Sequence, residues 1–477
     1  MYEGQSQEQN SRMGKSKNAS NRSRTPHSKK FMDYIASNWG ETESGEIKRW
    51  PVADFAAKRR AELAKKFPGK VIVIEASLPR VRANDTDYRY RPDSAFTHLT
   101  GWGSATVPGA VLLIDARGKS VKEKLYLLPT AGKESDEFFA NPAIGEFWVG
   151  PRPTLAEVET QLGIKTEDIK KLEKHLEKLP KPLTLKNKKL ATTLSEMRFI
   201  KDEWEISQMR KAVETTIAGF GDVAASLPIA SRKARGERVV ETAFFSRARQ
   251  EGYDIGYETI AASGPHACIL HWTKNDGDVK AGDLILVDAG VELDSLYTAD
   301  ITRTIPVTGT FSKEQRWVYE TVLEAADAAF AVVKPGIKFR EVHNAAIAVI
   351  ARRVSELGLI PVSAEEALKE ENQHHRRYMV HGTSHHLGID VHDCAQARRE
   401  HYQDGILAPG MVFTIEPGLY FHQNDLTVPK EYRGIGVRIE DNVLVTQDGC
   451  ENLSAGLPRN PEAVERWFAS NQLAVAG

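Results

Sequence analysis

The chain has 477 residues, enough for two or three domains, and its 41% hydrophobic and 27% charged residues are ordinary for a soluble globular protein. A formal net charge of −1 removes the electrostatic case for nucleic acid or an anionic membrane surface, and no apolar run approaches the roughly 18 residues of a membrane span. The three cysteines, Cys268, Cys394 and Cys450, are far apart with no CxxC pair, so neither a disulfide framework nor a Cys-based zinc site is expected; with no apolar leader in view, the expected compartment is the cytoplasm.

Residues 1 to about 45 are rich in Ser, Asn, Lys and Arg and offer little to bury, so a disordered tail is expected. Its modest charge density favours a plain solvated tail over a nucleic-acid arm. Residues 53–66 have helix-forming composition, and 71–77, 110–115 and 124–129 read as buried strands. Between the first two strands, DTDYRYRPDSAFTHLTGW (85–102) has the polar, aromatic look of a surface loop. Helical patterns follow at 154–162 and 168–179, so residues 46–185 are expected to form an α/β domain. The charged stretch 176–189, broken by Pro180 and Pro182, marks a domain boundary. Beyond it, helical patterns at 202–226, 237–251, 313–333 and 339–357 interleave with hairpins, which predicts an α+β domain over 190–477.

Four stretches of this second domain carry chemistry. In LILVDAGVELDSLYTADITRT (284–304) a buried strand ends in Asp288, and a second strand-like run, 296–305, alternates around Asp300. Asp294-Ser295 is turn chemistry, and a hairpin centred on 294 places Asp288 directly opposite Asp300, about 5 Å apart between Cβ atoms. Two carboxylates that close repel unless a cation lies between them; the alternative is two solvated aspartates on a hairpin edge. MVHGTSHHLGIDVHD (379–393) clusters His381, His385, His386 and His392, with no Glu at 382 to complete a thermolysin-like HExxH. GMVFTIEPGLY (410–420) ends a strand in Glu416, and GIGVRIEDNVLV (434–445) sets Glu440 inside an alternating apolar strand, where a pair with Arg438 is the structural alternative. Four carboxylates and one imidazole exceed a tetrahedral zinc site and suit two hard or borderline cations.

In combination VDAG with DITRT, HGTSHHLG with DVHD, TIEPGLY and GVRIED resemble the pita-bread metallopeptidases, the family of methionine aminopeptidase, prolidase and aminopeptidase P, over residues 46 to about 460. DTDYRYRPDSAFTHLTGW, CILHWT and VPKEYRGIGVRIED are most similar to the aminopeptidase P branch. The resemblance implies a C-terminal pita-bread catalytic domain behind a smaller α/β domain. It implies two divalent ions, with Mn²⁺ expected, on Asp288, Asp300, His385, Glu416 and Glu440, and Asp300 and Glu440 as bridges. Glu416 is then the expected general base, His271 and His392 flank the scissile carbonyl, and His381 lines the proline side of the cleft. Tyr257, Tyr420 and Arg438 match supporting positions. The implied substrates are peptides with proline second, whose tertiary amide lacks an N–H; a homo-oligomer, dimer or tetramer, is the expected assembly. Prolidase shares every ligand and is the alternative activity, with a non-catalytic binding protein of the same fold as the remoter one. Cys394 departs from the DVG of many relatives and receives no role.

Overall fold

The computed structural model describes residues 26, 28–40, 45–84 and 86–476. It divides into a first unit ending at Thr184 and a second starting at Leu185, to which residues 103–105 also belong. No helix among the described residues is long and apolar enough to cross a membrane.

In the first unit, α1 (Lys29–Ala36) lies within the stretch expected to be disordered. Ser28 caps it by accepting from Phe31 N, Phe31 meets Phe139 edge-on at 5.4 Å, and Trp39 meets Phe138 at the same distance. The aromatic residues give this short segment a surface to bury that the average composition concealed. Most of the expected tail, 1–25, 27 and 41–44, lies outside the described residues. Helix α2 (Val52–Lys66) buries Ala53, Ala56 and Leu63. Strands β1 (Val71–Glu75), β2 (Val111–Asp115), β3 (Lys122–Leu127) and β4 (Thr166–Asp168) form one sheet in that order, antiparallel except for the parallel pair β3 and β4. The expected surface loop at 85–102 is partly a buried helix, Ser94–Thr100. Phe96 and Leu99, three apart, face inward, Asp93 caps the first turn, and Arg59 and Arg60 donate to the carbonyls of His98 and Leu99 at 3.0 and 2.9 Å.

The second unit sets a sheet between two helix pairs. Helix α3 (Glu203–Ala230) starts with a capping box between Asp202 and Glu205 and packs on α4 (Gly236–Glu251). Strands β5 (Ile260–Ser263), β6 (Leu284–Ala289) and β7 (Ile301–Pro306) are antiparallel with β6 central. Helices α5 (Lys313–Val332) and α6 (Arg340–Glu356) form the other pair. Along β6, Ile285 and Val287 join Val213, Phe220 and Phe244 of the first pair, while Leu284 and Leu286 join Val318, Val322 and Ile350 of the second. Both faces are apolar, which is why the sequence shows a continuous hydrophobic run. Asp288 continues the even-numbered series toward the second pair.

The hairpin register differs from the expected one. Asp288 lies opposite Thr302, and Ala289 opposite Ile301, so Asp300 is a diagonal neighbour of Asp288. The loop holds three residues, Asp294 to Leu296, because Leu296 takes a left-handed conformation (φ 66°) and Leu293 N bonds Tyr297 O at 3.0 Å. That moves the centre of the hairpin to 295. The resulting shift of two residues in pairing keeps both aspartates on one face.

Candidate metal centre

The other two acidic residues arrive by a second device. Strand β8 (Val412–Ile415) pairs with β11 (Asp441–Val445), and β9 (Gly418–Tyr420) pairs with β10 (Gly436–Arg438). These are two separate sheets, and Glu416 and Glu440 sit where the paired strands pass from one to the other. Ile415 faces Asp441 and Gly418 faces Arg438, so the shared register brings Glu416 and Glu440 across from each other. Glu440 is thus a junction residue rather than the interior of one strand. Its backbone N–H donates to Thr302 O at 3.0 Å, which docks the junction on β7.

Asp300, His385 and Glu440 each offer one ligand atom, all within 4.8 Å of one another. His385 Nε2 lies 3.2 Å from Asp300 Oδ2 and 3.4 Å from Glu416 Oε1. Its Nδ1 donates to His386 O at 3.2 Å, which leaves Nε2 as the free ligand atom. Tyr257 donates to both Asp288 and Asp300. Arg438 does not pair with Glu440. Its guanidinium donates to Asp288 Oδ2 at 2.6 Å, Thr302 Oγ1 at 3.1 Å and Tyr420 OH at 3.0 Å. Thr302 Oγ1 in turn donates to Glu440 Oε2 at 2.7 Å.

The histidines divide by role. His381 Nδ1 donates to Gly382 O and its Nε2 accepts from Tyr420 OH, both at 2.7 Å. Burial first, then Arg438, lowers its pKa to about 3, so it is a neutral imidazole. The His392 ring stands edge-on to His385 at 4.4 Å, and burial, followed by His385 and His271, holds it below the usual range. His271 and His392 both line the cleft. His386 faces away, stacked on Phe339 at 4.5 Å. Asp393 anchors this segment through Lys201 at 3.1 Å and Arg198 at 2.8 Å. Cys394 is buried and its thiol is pushed up by burial, so it is no nucleophile.

The cleft has a volume of about 530 Å³, and Asp288, Asp300, His381, His385, Glu416 and Glu440 all line it. Burial pushes Glu416 up to about 7, with His385 opposing and Asp300 adding to the rise. Burial and the charges of Asp300 and Glu416 push Glu440 well above its ordinary range, and burial also raises Asp300. Carboxylates crowded this way favour taking up positive charge, as protons or as cations. Oxygen donors with one correctly turned imidazole fit hard or borderline divalent ions.

Sequence reading passed over several supporting residues. Thr302 and Thr414 stand two positions from Asp300 and Glu416, so strand periodicity places each on its neighbour's face. Thr414 Oγ1 donates to Glu416 Oε1 at 3.3 Å. Asn442 brackets the Asp300 backbone from both sides. His343 of α6, which meets Thr383 at 2.8 Å, had no signal as a lone histidine on a helix.

The sequence profile of metallopeptidase family M24 matches residues 207–447, and that of the aminopeptidase P N-terminal domain matches 56–186. Xaa-Pro aminopeptidase 1 of Streptomyces coelicolor is 45% identical over 462 residues, covering 93% of this chain and 92% of that one. The Xaa-Pro aminopeptidase of Escherichia coli is 32% identical over 443 residues, 86% of this chain and 96% of its own. Among solved structures, an E. coli aminopeptidase P variant in complex with substrate superposes with a TM-score of 0.75 at 28% identity, covering 90% of this chain and all 100% of its own. Pseudomonas aeruginosa aminopeptidase PepP gives 0.77 at 30% identity, with 90% and 100% covered.

Proposed function

The chain belongs to metallopeptidase family M24, and from that premise we propose that it is an Xaa-Pro aminopeptidase that removes the first residue of peptides with proline second. The observation that carries the reading is the cluster of Asp288, Asp300, His385, Glu416 and Glu440 in one cleft with three further imidazoles. In this reading those five residues would hold two divalent ions, Mn²⁺ being the expected metal. Bound cations there supply carbonyl polarisation and a water of lowered pKa. Glu416, on the cleft wall beside His385, takes the proton of the attacking water. His271 and His392 donate to the oxygen on which charge develops, each worth about 10²- to 10³-fold in kcat. His381, kept neutral and held by Tyr420, lines the proline side. Arg438 and Tyr257 orient Asp288.

The test is a comparison of Ala-Pro-Pro, Ala-Ala-Pro and the dipeptide Ala-Pro. Release of alanine from Ala-Pro-Pro, with much slower cleavage of the other two, is expected. Preference for the dipeptide would instead indicate a prolidase, and equal cleavage of Ala-Ala-Pro would remove the proline requirement.

A further inference from the structure

His271 reaches the cleft from the connection between β5 and β6, exposed and with no hydrogen bond to its ring among the described residues. The path of that connection therefore decides where the ring can reach. One side chain ties the connection together. Glu237, in the first turn of α4, is fully buried at 0% exposure. Its Oε1 accepts from Ser263 N at 2.8 Å and lies 2.7 Å from His266 Nδ1. Its Oε2 accepts from Trp272 Nε1 at 2.8 Å and Gly277 N at 2.7 Å. These four contacts hold both ends of residues 263–277 and a residue on each side of His271. The His266 and Trp272 rings stack at 3.8 Å with 24° between planes, closing the five residues between them into a bight. At Gly277 a Cβ would meet His266 Cε1 at 2.6 Å and Glu237 Oε2 at 2.7 Å, so the chain passes directly over the carboxylate. A buried carboxylate is tolerated only when its oxygens are met by donors, and charge-assisted bonds are the stronger kind. None of these four contacts involves a residue of the metal cluster.

We propose that Glu237 is a positioning residue for the reaction: through Trp272 and Gly277 it staples the connection that aims His271 at the scissile bond. The inference rests on reading His271 as a substrate-facing imidazole. W272F keeps a ring for His266 to stack on and removes the N–H that reaches Glu237. On Ala-Pro-Pro, W272F is expected to lower kcat about 10- to 100-fold, the cost of a displaced catalytic group, with KM and bound metal little changed. In an H271A background the same substitution is expected to cost nothing further, because both changes act on one ring. E237Q turns an amide N–H₂ toward two donors and is expected to behave likewise if it folds. Equal fold-losses from W272F in both backgrounds, or none in the wild-type background, would overturn the proposal while leaving His271 in its role. Full turnover by H271A alone would overturn that role and the proposal with it.

Discussion

Asp300 is held as tightly by its backbone as by its carboxylate. Asn442 takes both its N–H and its C=O, while the carboxylate receives Tyr257 and faces His385. Asp300→Asn leaves the backbone bonds in place and removes one charge from a crowded cluster, so the fold is expected to persist. Bound cations and kcat should fall together, kcat by at least about 100-fold, the upper cost of losing a residue one shell further out. Near-normal turnover with two ions retained would sink the bridging assignment. His343 predicts an acid limit. The Thr383 N–H points at its Nδ1 from 3.2 Å, so that nitrogen must be unprotonated, and burial, then Arg376 and His375, lowers its pKa to about 4. In the unfolded chain the value is about 6.5, so on acidification the unfolded state takes the proton first. The stability it contributes is complete above about pH 6.5 and lost as pH falls toward 4. H343Q should flatten the decline of Tm between pH 7 and 4.5; parallel curves for the two proteins would refute this. Asp288 and Glu416 were legible because a carboxylate ending an apolar strand is costly unless something neutralises it, whereas His343, in REVHNAA, carries no such anomaly.

At the scale of elements, the β6–β7 hairpin shows what a pattern can and cannot specify. Period-two alternation put Asp288 and Asp300 on one face, and that survives the change of register. The pairing itself depends on Leu296 adopting φ 66°, which a leucine rarely does and which no pattern announces. The break at Glu440 was hidden for a similar reason: GIGVRIEDNVLV reads as one strand, but β10 and β11 bond to different partners, a choice made by tertiary packing. Close approach within the hairpin is testable at Gly290. A Cβ there would lie 1.8 Å from Ala299 O and 3.2 Å from Tyr257 Cε1. Gly290→Ala therefore forces the strands or Tyr257 to move, and a loss of about 1–3 kcal/mol is expected together with weaker cation binding. An unchanged urea midpoint with full metal content would show that the hairpin yields more easily than its geometry implies.

Across the whole molecule, the five proposed ligands, the cleft and the stapled His271 connection all belong to the second unit. The division at Thr184 falls within the charged, proline-broken stretch noted in the sequence, since such a segment has little to bury on either side. Helix α1 was missed because a few aromatics within a polar stretch declare themselves only once Phe138 and Phe139 are in place. In the second unit, strands and helices bring together acidic groups that burial alone makes unfavourable, a cluster that favours uptake of positive charge. The most direct measurement is a Mn²⁺ titration of the chelator-stripped full-length chain, with Ala-Pro-Pro turnover, bound metal and Tm read on one preparation. Turnover is expected to be absent without metal and to rise with Tm until two ions are bound per chain. Full turnover at zero bound metal would contradict the account.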